Sequence, residues 1–374
     1  MKIAFIGGRT FHHPDGIASY MKNLATELAK MGHEPIVFVE SDCHKIEYFN
    51  GFKVVHQKSL KSAALTKILL GWRSTVFALC KEKGVQVFHY NAWGPALIAS
   101  KLPLLFGRVS VVQAHGLEFK RTKYTPKQQK MQKIMFDFSA RWNKNWTVVS
   151  EEQHEYFLKE YGRDSRTITC AVGLPGDTKK SDVLERFGIM PNNYIVYMGR
   201  LVQDKNPDYL IKGFLASNHK DKQLVICGDN PQLPDYVQYL KDLAKDCPNV
   251  IFTGAVFDAD KDTIFRKAWA YCLPSTMEGL PISLLEGMSY GKICIASDIQ
   301  ANKEALGESG IWVRPEKASD ITEQLNTLYE HYEDYLWQGV KNKERVIAKF
   351  SWDKKAQEYI DYVSSLVNHK RNKC

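Results

Sequence analysis

Residues 270–297 read AYCLPSTMEGLPISLLEGMSYGKICIAS, and this stretch decides the fold. It opens on the short apolar run AYCL, continues through a helical pattern after Gly-Leu-Pro, and closes on a second apolar run, ICIAS. Continuous apolar runs joined by a helix are typical of parallel strands that are buried on both faces. We therefore expect a strand–helix–strand unit in this stretch.

The same rhythm extends toward both ends of the chain. The second half also contains NYIVYMGR, QLVICGD and NVIFTG, and the first half contains KIAFIG, EPIVFVE, VQVFHYN, VSVVQAHG and NWTVVS, with helical patterns between them. Two such series predict an α/β protein with two Rossmann-like, doubly wound domains that face each other across a cleft. Pro and Gly interrupt the pattern at 173–176, so we place an N-terminal domain at 1–173 and a second domain at 174–350. A C-terminal helix and tail, 351–374, would cross back to the first domain.

Composition narrows the class of protein. The chain has 374 residues, of which 44% are hydrophobic and 25% charged, and these values exclude a disordered chain or a coiled coil. The longest apolar stretch, 60–80, is interrupted by two lysines and an arginine, so we expect no spanning helix. The N-terminus resembles a first strand and not a signal peptide, which favours a cytoplasmic protein. Cysteines in apolar runs, such as Cys227 and Cys272, are expected to be small buried hydrophobes.

Positive charge is concentrated in the first half of the sequence. Positions 1–173 hold 25 Lys and Arg against 14 Asp and Glu, whereas the remainder holds 26 against 28. Positions 101–145 alone hold ten basic and two acidic residues. An anionic membrane surface, an anionic substrate, nucleic acid or a plain solvated face would each fit this charge. The sequence contains no aromatic RNA-binding motif, which argues against nucleic acid.

Two loops that follow predicted strands carry charged residues that could bind a ligand or take part in catalysis. After AYCLPS, Glu278 precedes Gly-Leu-Pro, and a helix carries Glu286, which needs a partner if it is buried. After NYIVYMG, Arg200 and Lys205 precede a helix and would suit a diphosphate. On spacing alone, two surface acids and two solvated cations remain the alternative interpretation.

These residues together resemble glycosyltransferase family 4. The resemblance rests on Gly199-Arg200 with Lys205, on Glu278 followed by seven residues and Glu286, and on the strings ICGD, FTGAV, SDIQANKEAL and FSWDKKAQEY. It implies the GT-B fold and a hexosyltransferase-type enzyme that retains anomeric configuration. It also implies a nucleotide diphospho-sugar as co-substrate, with no cofactor and no metal.

The resemblance assigns roles to individual residues. Catalytic roles fall to Arg200, Lys205, Glu278 and His115. Donor-binding roles fall to Gly16, Gly199, Gly279, Leu280, Pro281 and Glu286, with Glu286 binding ribose hydroxyls. Pro281 would lie in the first turn of its helix. Asp15 stands where the family usually has the first of two glycines, and a structural role for His115 is the alternative to a catalytic one.

The resemblance also suggests partners. The string Gly116-Leu-Glu-Phe-Lys-Arg after the strand VSVVQA is similar to a motif of bacterial rhamnosyltransferases, which favours a dTDP-rhamnose donor or a related acceptor. The acceptor would be a glycan or a polyprenyl-diphosphate-linked glycan of cell-surface polysaccharide synthesis. The basic, aromatic stretch 58–83 would lie at the inner face of the plasma membrane, with a solvated surface as the alternative. A GT-B epimerase, an enzyme making sucrose-like or glycogen-like products, or a non-catalytic sugar-nucleotide binder are the alternative functions.

Overall fold

The computed structural model describes residues 1–9, 16–58, 63–117, 119, 125–177, 180–218 and 221–372, without the side chains of 9, 63–65 and 371. The strands are β1 (Lys2–Arg9), β2 (Glu34–Ser41), β3 (Lys45–Phe49), β4 (Phe52–Lys58), β5 (Val85–Asn91), β6 (Val109–Ala114), β7 (Trp146–Val148), β8 (Arg166–Thr167), β9 (Tyr194–Met198), β10 (Gln223–Cys227), β11 (Val250–Gly254), β12 (Ala270–Leu273), β13 (Ile293–Ser297) and β14 (Ile311–Val313).

Helices alternate with these strands along most of the chain. They are α1 (Gly16–Lys30), α2 (Ala63–Lys81), α3 (Trp93–Ala96), α4 (Leu102–Leu105), α5 (Pro126–Trp142), α6 (Glu151–Tyr161), α7 (Val183–Phe187), α8 (Pro207–Ala216), α9 (Pro234–Leu243), α10 (Asp258–Lys267), α11 (Ile282–Ser289), α12 (Gln300–Leu306), α13 (Ala318–Glu330), α14 (Tyr332–Lys349) and α15 (Trp352–Arg371). The chain forms two compact units. Unit 1 comprises Met1–Cys170 and Trp352–Cys374, and unit 2 comprises Ala171–Ser351.

Unit 1 is built on one mixed sheet. Its strand order is β3-β4-β2-β1-β5-β6-β7-β8, in which β3 and β4 pair antiparallel and the other neighbours pair in parallel. Helix α1 packs against α15, while α2 packs against α3, and α3 against α5. The central strands are apolar and almost wholly buried because helices leave them little contact with water. The strand order reverses between β1 and β5, which places the ends of these strands at a topological switch point.

Unit 2 is built on a fully parallel sheet. Its order is β11-β10-β9-β12-β13-β14, the doubly wound order in which the chain first builds outward on one side of β9 and then on the other. Strands β9, β10 and β13 are buried along their whole length, as their continuous apolar sequences predict. The predicted α/β class with two parallel-sheet domains is therefore confirmed. Ligands of such sheets bind beyond the carboxyl ends of the strands, here those of β9 and β12.

The expectation of buried cysteines is also met. Cys227, Cys272 and Cys294 are buried thiols within strands. In the described ranges, no helix is both long and apolar enough to cross a bilayer.

Candidate active site

The loops that follow β9 and β12 are joined into one structure in unit 2. The N–H and the hydroxyl of Thr276 both donate to the carbonyl of Asp204, over 2.9 Å and 3.0 Å. The side-chain amide of Asn206 donates to the carbonyl of Pro274 over 2.9 Å. These bonds connect positions about seventy residues apart in sequence, so each loop holds the other in place at the switch point.

The predicted cation and the predicted acid meet within this joined loop. The ammonium of Lys205 lies 2.5 Å from Oε1 of Glu278, and their side chains are 20% and 10% exposed. The hydroxyl of Ser275 donates to the same carboxylate oxygen over 2.7 Å. Lys205 and Glu278 therefore neutralise each other at the carboxyl ends of β9 and β12. Ser275 holds the carboxylate in a fixed orientation.

Asn206 has a special place at the start of α8. Its backbone is left-handed, with φ of 51°, and its side chain is almost fully buried. An Asn in this conformation tolerates the positive φ better than most residues and ends the short turn before Pro207. The sequence motifs do not indicate Asn206 or Thr276. An amide directly before a helix-initiating Pro was the available signal for Asn206.

Glycine keeps the chain close to Lys205 at the end of β9. The N–H of Gly199 donates to the carbonyl of Cys227 over 3.0 Å. A Cβ on Gly199 would lie 3.3 Å from the Tyr197 hydroxyl and 3.6 Å from Cδ of Lys205, while one on Gly228 would lie only 1.9 Å from the Gly199 carbonyl. Gly228 is thus required for the packing of this loop, and Gly199 leaves space beside the ammonium.

Arg200 lies next in the chain with an exposed side chain. Its carbonyl accepts a hydrogen bond from the Tyr197 hydroxyl over 3.1 Å, which anchors the backbone at this point. Burial raises the pKa of Tyr197 well above its usual range, so the hydroxyl keeps its proton and donates. The backbone beneath Arg200 is therefore fixed while the guanidinium remains at the surface.

The predicted donor-binding residues of the second loop lead into α11. Gly279 is half-buried and Leu280 is buried. The prediction that Pro281 lies in the first helical turn is wrong by one residue. The helix begins at Ile282, and Pro281 precedes it with an extended backbone. Its fixed φ of −79° suits the position before a helix as well as the first turn.

Glu286 has the partner that its place in an apolar helix requires. The ammonium of Lys261, on α10, lies 2.7 Å from the Glu286 carboxylate, and the two side chains are 36% and 23% exposed. The sequence does not indicate Lys261, because the charged run DADKD that contains it is typical of a solvated helix face. Glu286 is thus paired with a lysine, as Glu278 is.

The two remaining predicted residues belong to unit 1. Gly16 is exposed and begins α1. His115 follows β6, where its Nε2 donates to the amide oxygen of Asn91 over 3.2 Å and its ring lies 4.9 Å from the ring of Tyr20. Burial lowers the pKa of His115 to about 3, so its imidazole is neutral at pH 7. Asp15 and most of the string 118–124 lie outside the described residues, and the roles of Gly16 and His115 stay predictions.

The fold of the whole chain matches that of solved structures. Sucrose-phosphate synthase from Thermosynechococcus elongatus superimposes with a TM-score of 0.81 at 19% identity, covering 98% of this chain and 99% of the other. Anabaena HepE in complex with UDP-glucose gives 0.79 at 16% identity, covering 98% and 100%. At these identities the likeness shows the fold alone, which is GT-B.

Sequence comparison then defines the family. The model for glycosyltransferase family 4 matches residues 14–173, and the model for group 1 glycosyl transferases matches residues 184–345. Together the two models span most of both units. The chain is a glycosyltransferase and belongs to glycosyltransferase family 4, as the sequence motifs predict.

Relatives at the sequence level are named glycosyltransferases. An uncharacterized glycosyltransferase of Methanocaldococcus jannaschii is 23% identical over 96% of this chain and 97% of its own. A UDP-Gal:α-D-GlcNAc-diphosphoundecaprenol α-1,3-galactosyltransferase of Escherichia coli is 25% identical over 61% of this chain and 62% of its own. A D-rhamnosyltransferase of Pseudomonas aeruginosa is 28% identical over 46% of each chain.

Proposed function

We propose that this glycosyltransferase moves a hexosyl group from a nucleotide diphospho-sugar to a glycan acceptor with retention of configuration. The observation that carries the proposal is the Lys205–Glu278 pair at the carboxyl ends of β9 and β12, where the Lys205 loop also carries the exposed Arg200. Departure of the nucleotide leaves negative charge on its β-phosphate, which fixed cations stabilise. Lys205 and Arg200 supply those cations.

Donor binding would exchange the partners of Lys205. In the free enzyme its ammonium is bound to Glu278, and a diphosphate carries more negative charge than that carboxylate. The phosphate oxygens would draw Lys205 away, and Glu278 would then accept hydrogen bonds from sugar hydroxyls. Ser275 keeps the carboxylate oriented during this exchange. Glu286 would exchange Lys261 for ribose hydroxyls in the same way.

Retention by front-face attack agrees with the resemblance to the family. The leaving phosphate takes the acceptor proton, and Glu278 positions the sugar without forming a covalent bond. We expect Glu278→Ala to lower turnover strongly, and we expect no glycosyl–enzyme adduct in the intact mass spectrum of the wild-type enzyme incubated with its donor. The anomeric configuration of the product, read from its NMR coupling constant, tests retention. An inverted product or a trapped adduct contradicts this mechanism.

The acceptor is proposed to be a lipid-diphosphate-linked glycan of cell-surface polysaccharide synthesis. Support comes from the E. coli galactosyltransferase, whose name specifies a diphosphoundecaprenol acceptor, and from relatives named O-antigen chain mannosyltransferases. Such an acceptor places the enzyme in the cytoplasm at the inner face of the plasma membrane. A rhamnosyl donor is the finer proposal, and the P. aeruginosa relative supports it.

Metal independence is part of the proposal and has a direct test. The segment 258–262 contains two overlapping Asp-x-Asp strings, but Arg186 and Ser181 bind Asp260, and Arg266 and Tyr290 bind Asp262. Asp260 and Asp262 are therefore already bound to other side chains of unit 2. Turnover should survive excess EDTA, and a loss that Mg²⁺ or Mn²⁺ restores would contradict metal independence.

A thermal-shift screen with UDP, dTDP, GDP and their sugar conjugates tests the function. A nucleotide present at 100 times its Kd adds about 2.7 kcal/mol to the free energy of unfolding. The stabilising donor is then incubated with lipid-linked acceptors, and sugar transfer is followed by mass spectrometry. Interconversion of the donor without an acceptor would indicate the epimerase, and stabilisation without turnover would indicate a binding protein.

A further inference from the structure

Helix α5 turns large apolar side chains toward the outside of unit 1. Met131, Ile134, Phe138 and Trp142 are 54%, 61%, 48% and 46% exposed. Their spacing of three and four residues places them in one stripe along the helix. Its buried residues are Phe136, Ser139 and Ala140, which include two small side chains. The outward face is therefore more apolar than an ordinary solvated helix face.

Positive charge flanks this stripe. Lys127, Lys130 and Arg141 are exposed and lie within the same half of the helix surface. The acidic residue of α5, Asp137, lies one turn from Ile134 and from Arg141, and it accepts hydrogen bonds from Lys133 over 2.9 Å and from the Tyr161 hydroxyl over 2.6 Å. Its carboxylate is thus already paired with Lys133, and α5 as a whole holds three lysines and one arginine against this one acid.

A neighbouring segment extends the stripe. Leu104, Leu105 and Phe106 are 37%, 80% and 60% exposed at the end of α4. The ammonium of Lys101 donates to the carbonyl of Trp142 over 2.5 Å and lies 4.9 Å from the centre of the Trp142 ring. Lys101 therefore joins the two segments. We call the exposed residues of 101–106 and 127–142 the basic apolar face.

Unit 2 offers an instructive contrast on α14. This helix also exposes large apolar residues, among them Trp337 and Val340 at 51% and 61%. Its exposed charges are of both signs, since Glu333, Asp334 and Glu344 accompany lysines. Apolar exposure alone is therefore not specific to α5. The combination of that exposure with uncompensated positive charge is what distinguishes the basic apolar face.

We propose that the basic apolar face docks on a lipid bilayer that contains anionic headgroups. Exposed Trp, Phe, Ile and Leu side chains insert at the headgroup boundary, while Lys and Arg contact anionic lipid. The charge favours this occupant over a second copy of the chain, because that copy presents the same positive charge. The inference deepens the proposed function, since docking would bring the enzyme to its lipid-linked acceptor. It assigns the contact to α5 and not to 58–83, where the described residues of α2 expose two large apolar side chains, Trp72 and Val76.

Vesicle co-sedimentation of the full chain tests the proposal. The probes are vesicles of phosphatidylcholine alone and of phosphatidylcholine with about one third phosphatidylglycerol, at low and high salt. We expect sedimentation with the anionic vesicles, weakened by salt. Ile134→Ser/Phe138→Ser and Lys127→Glu/Lys130→Glu should each weaken partitioning more than about tenfold. The matched control, Trp337→Ser/Val340→Ser on α14, should partition like the wild-type chain.

Further readouts separate the possible results. The α5 variants replace exposed side chains, so their melting temperatures and nucleotide-induced shifts should match the wild type. Equal partitioning to both vesicles, or α5 variants that bind as well as wild type, would overturn the docking proposal. Concentration-dependent dimerisation abolished by the same substitutions would also overturn it and would assign the face to self-association. Vesicle binding without any nucleotide-induced stabilisation would contradict the proposed function and leave the docking proposal standing.

Discussion

The ammonium of Lys205 lies 2.5 Å from the carboxylate of Glu278, although 73 residues separate them in the sequence. The two loops that bring them together follow β9 and β12, the neighbouring strands on either side of the switch point. In the proposed mechanism, a phosphate replaces Glu278 as the partner of Lys205, and a sugar hydroxyl replaces Lys205 as the partner of Glu278.

The first prediction concerns this pair. Lys205→Ala and Glu278→Gln should each lower kcat/KM about 100-fold, because each removes a charged group that the proposed transition state needs. The double variant should lose less than the product of the two effects, since the residues act as a unit. Initial rates with the donor identified by the thermal screen measure both losses.

Lys212→Ala is the matched control for that experiment. Lys212 pairs with Asp208 over 2.9 Å on α8, within the same unit but outside the loops. Its loss should change kcat/KM less than twofold to threefold. Strictly multiplicative losses at Lys205 and Glu278 would show that the two groups act independently.

The second prediction concerns Asn206. Asn206→Ala removes the bond to Pro274 and places a less tolerant residue at a φ of 51°. We expect a loss of about 1–3 kcal/mol in the free energy of unfolding and a rise in KM for the donor, because the cationic loop is no longer held against the Glu278 loop. Urea unfolding and donor kinetics measure these effects.

Asn192→Ala separates the cost of the left-handed backbone from the cost of losing the buried amide. Asn192 is exposed and has a φ of 59°, so its replacement measures the cost of the left-handed backbone without the buried amide. Asn206→Gly, which suits the backbone but lacks the amide, should still raise the donor KM. A normal KM for Asn206→Gly would assign Asn206 to stability alone.

The sequence predicts the strands and the charged residues of the site well. NYIVYMG and AYCL correspond to β9 and β12 because strands buried on both faces must be continuously apolar. Lys205 and Glu278 are visible as charges that directly follow such runs. Asn206 and Thr276 are not visible, because their bonds join distant loops and leave no local periodicity.

Helix α5 shows why exposure is harder to predict. Met131, Ile134 and Phe138 have the spacing that ordinarily indicates a buried face. The structure instead buries the arc that holds Phe136 and Ala140, and the apolar stripe faces outward. The choice between the two arcs depends on tertiary packing against α3 and α6, which one helix's sequence does not encode.

The third prediction concerns Glu286 and Lys261. If Glu286 accepts ribose hydroxyls, Glu286→Ala should raise the Kd of the nucleotide at least about tenfold, since a charged hydrogen bond is worth about 1.5–3 kcal/mol. Lys261→Ala frees the carboxylate from its partner and should leave nucleotide affinity unchanged or improve it. Calorimetric titration measures both. Equal weakening by the two substitutions would show that the ion pair itself supports the site.

The fourth prediction concerns acid stability and His89. This imidazole is fully buried, its ring centre lies 5.2 Å from that of Phe5 and 5.3 Å from that of Tyr359, and its nitrogens have no hydrogen-bond partner within the described part of the chain. Burial, with a smaller contribution from His115, lowers the pKa of His89 to about 3. Below pH 6.5 the His89 imidazole binds a proton in the unfolded chain but stays neutral in the folded chain. The free energy of unfolding therefore falls as pH decreases toward 3.

His89→Leu should therefore flatten the pH dependence of stability. The wild-type chain should lose up to about 1.4 kcal/mol more per pH unit than the variant between pH 6 and pH 4, the contribution of one proton. Urea unfolding measures the stability of both chains at each pH. The carboxylates are the same in both chains, so their contributions cancel in the difference. Tyr359→Phe is the matched control, because it removes from the same contact a hydroxyl that has no hydrogen-bond partner among the described residues, without removing a titrating ring. His115→Asn should flatten the profile similarly and, if His115 is catalytic, also lower turnover, whereas His89→Leu should leave turnover intact. An unchanged slope in His89→Leu would mean that the buried ring is charged in the folded protein.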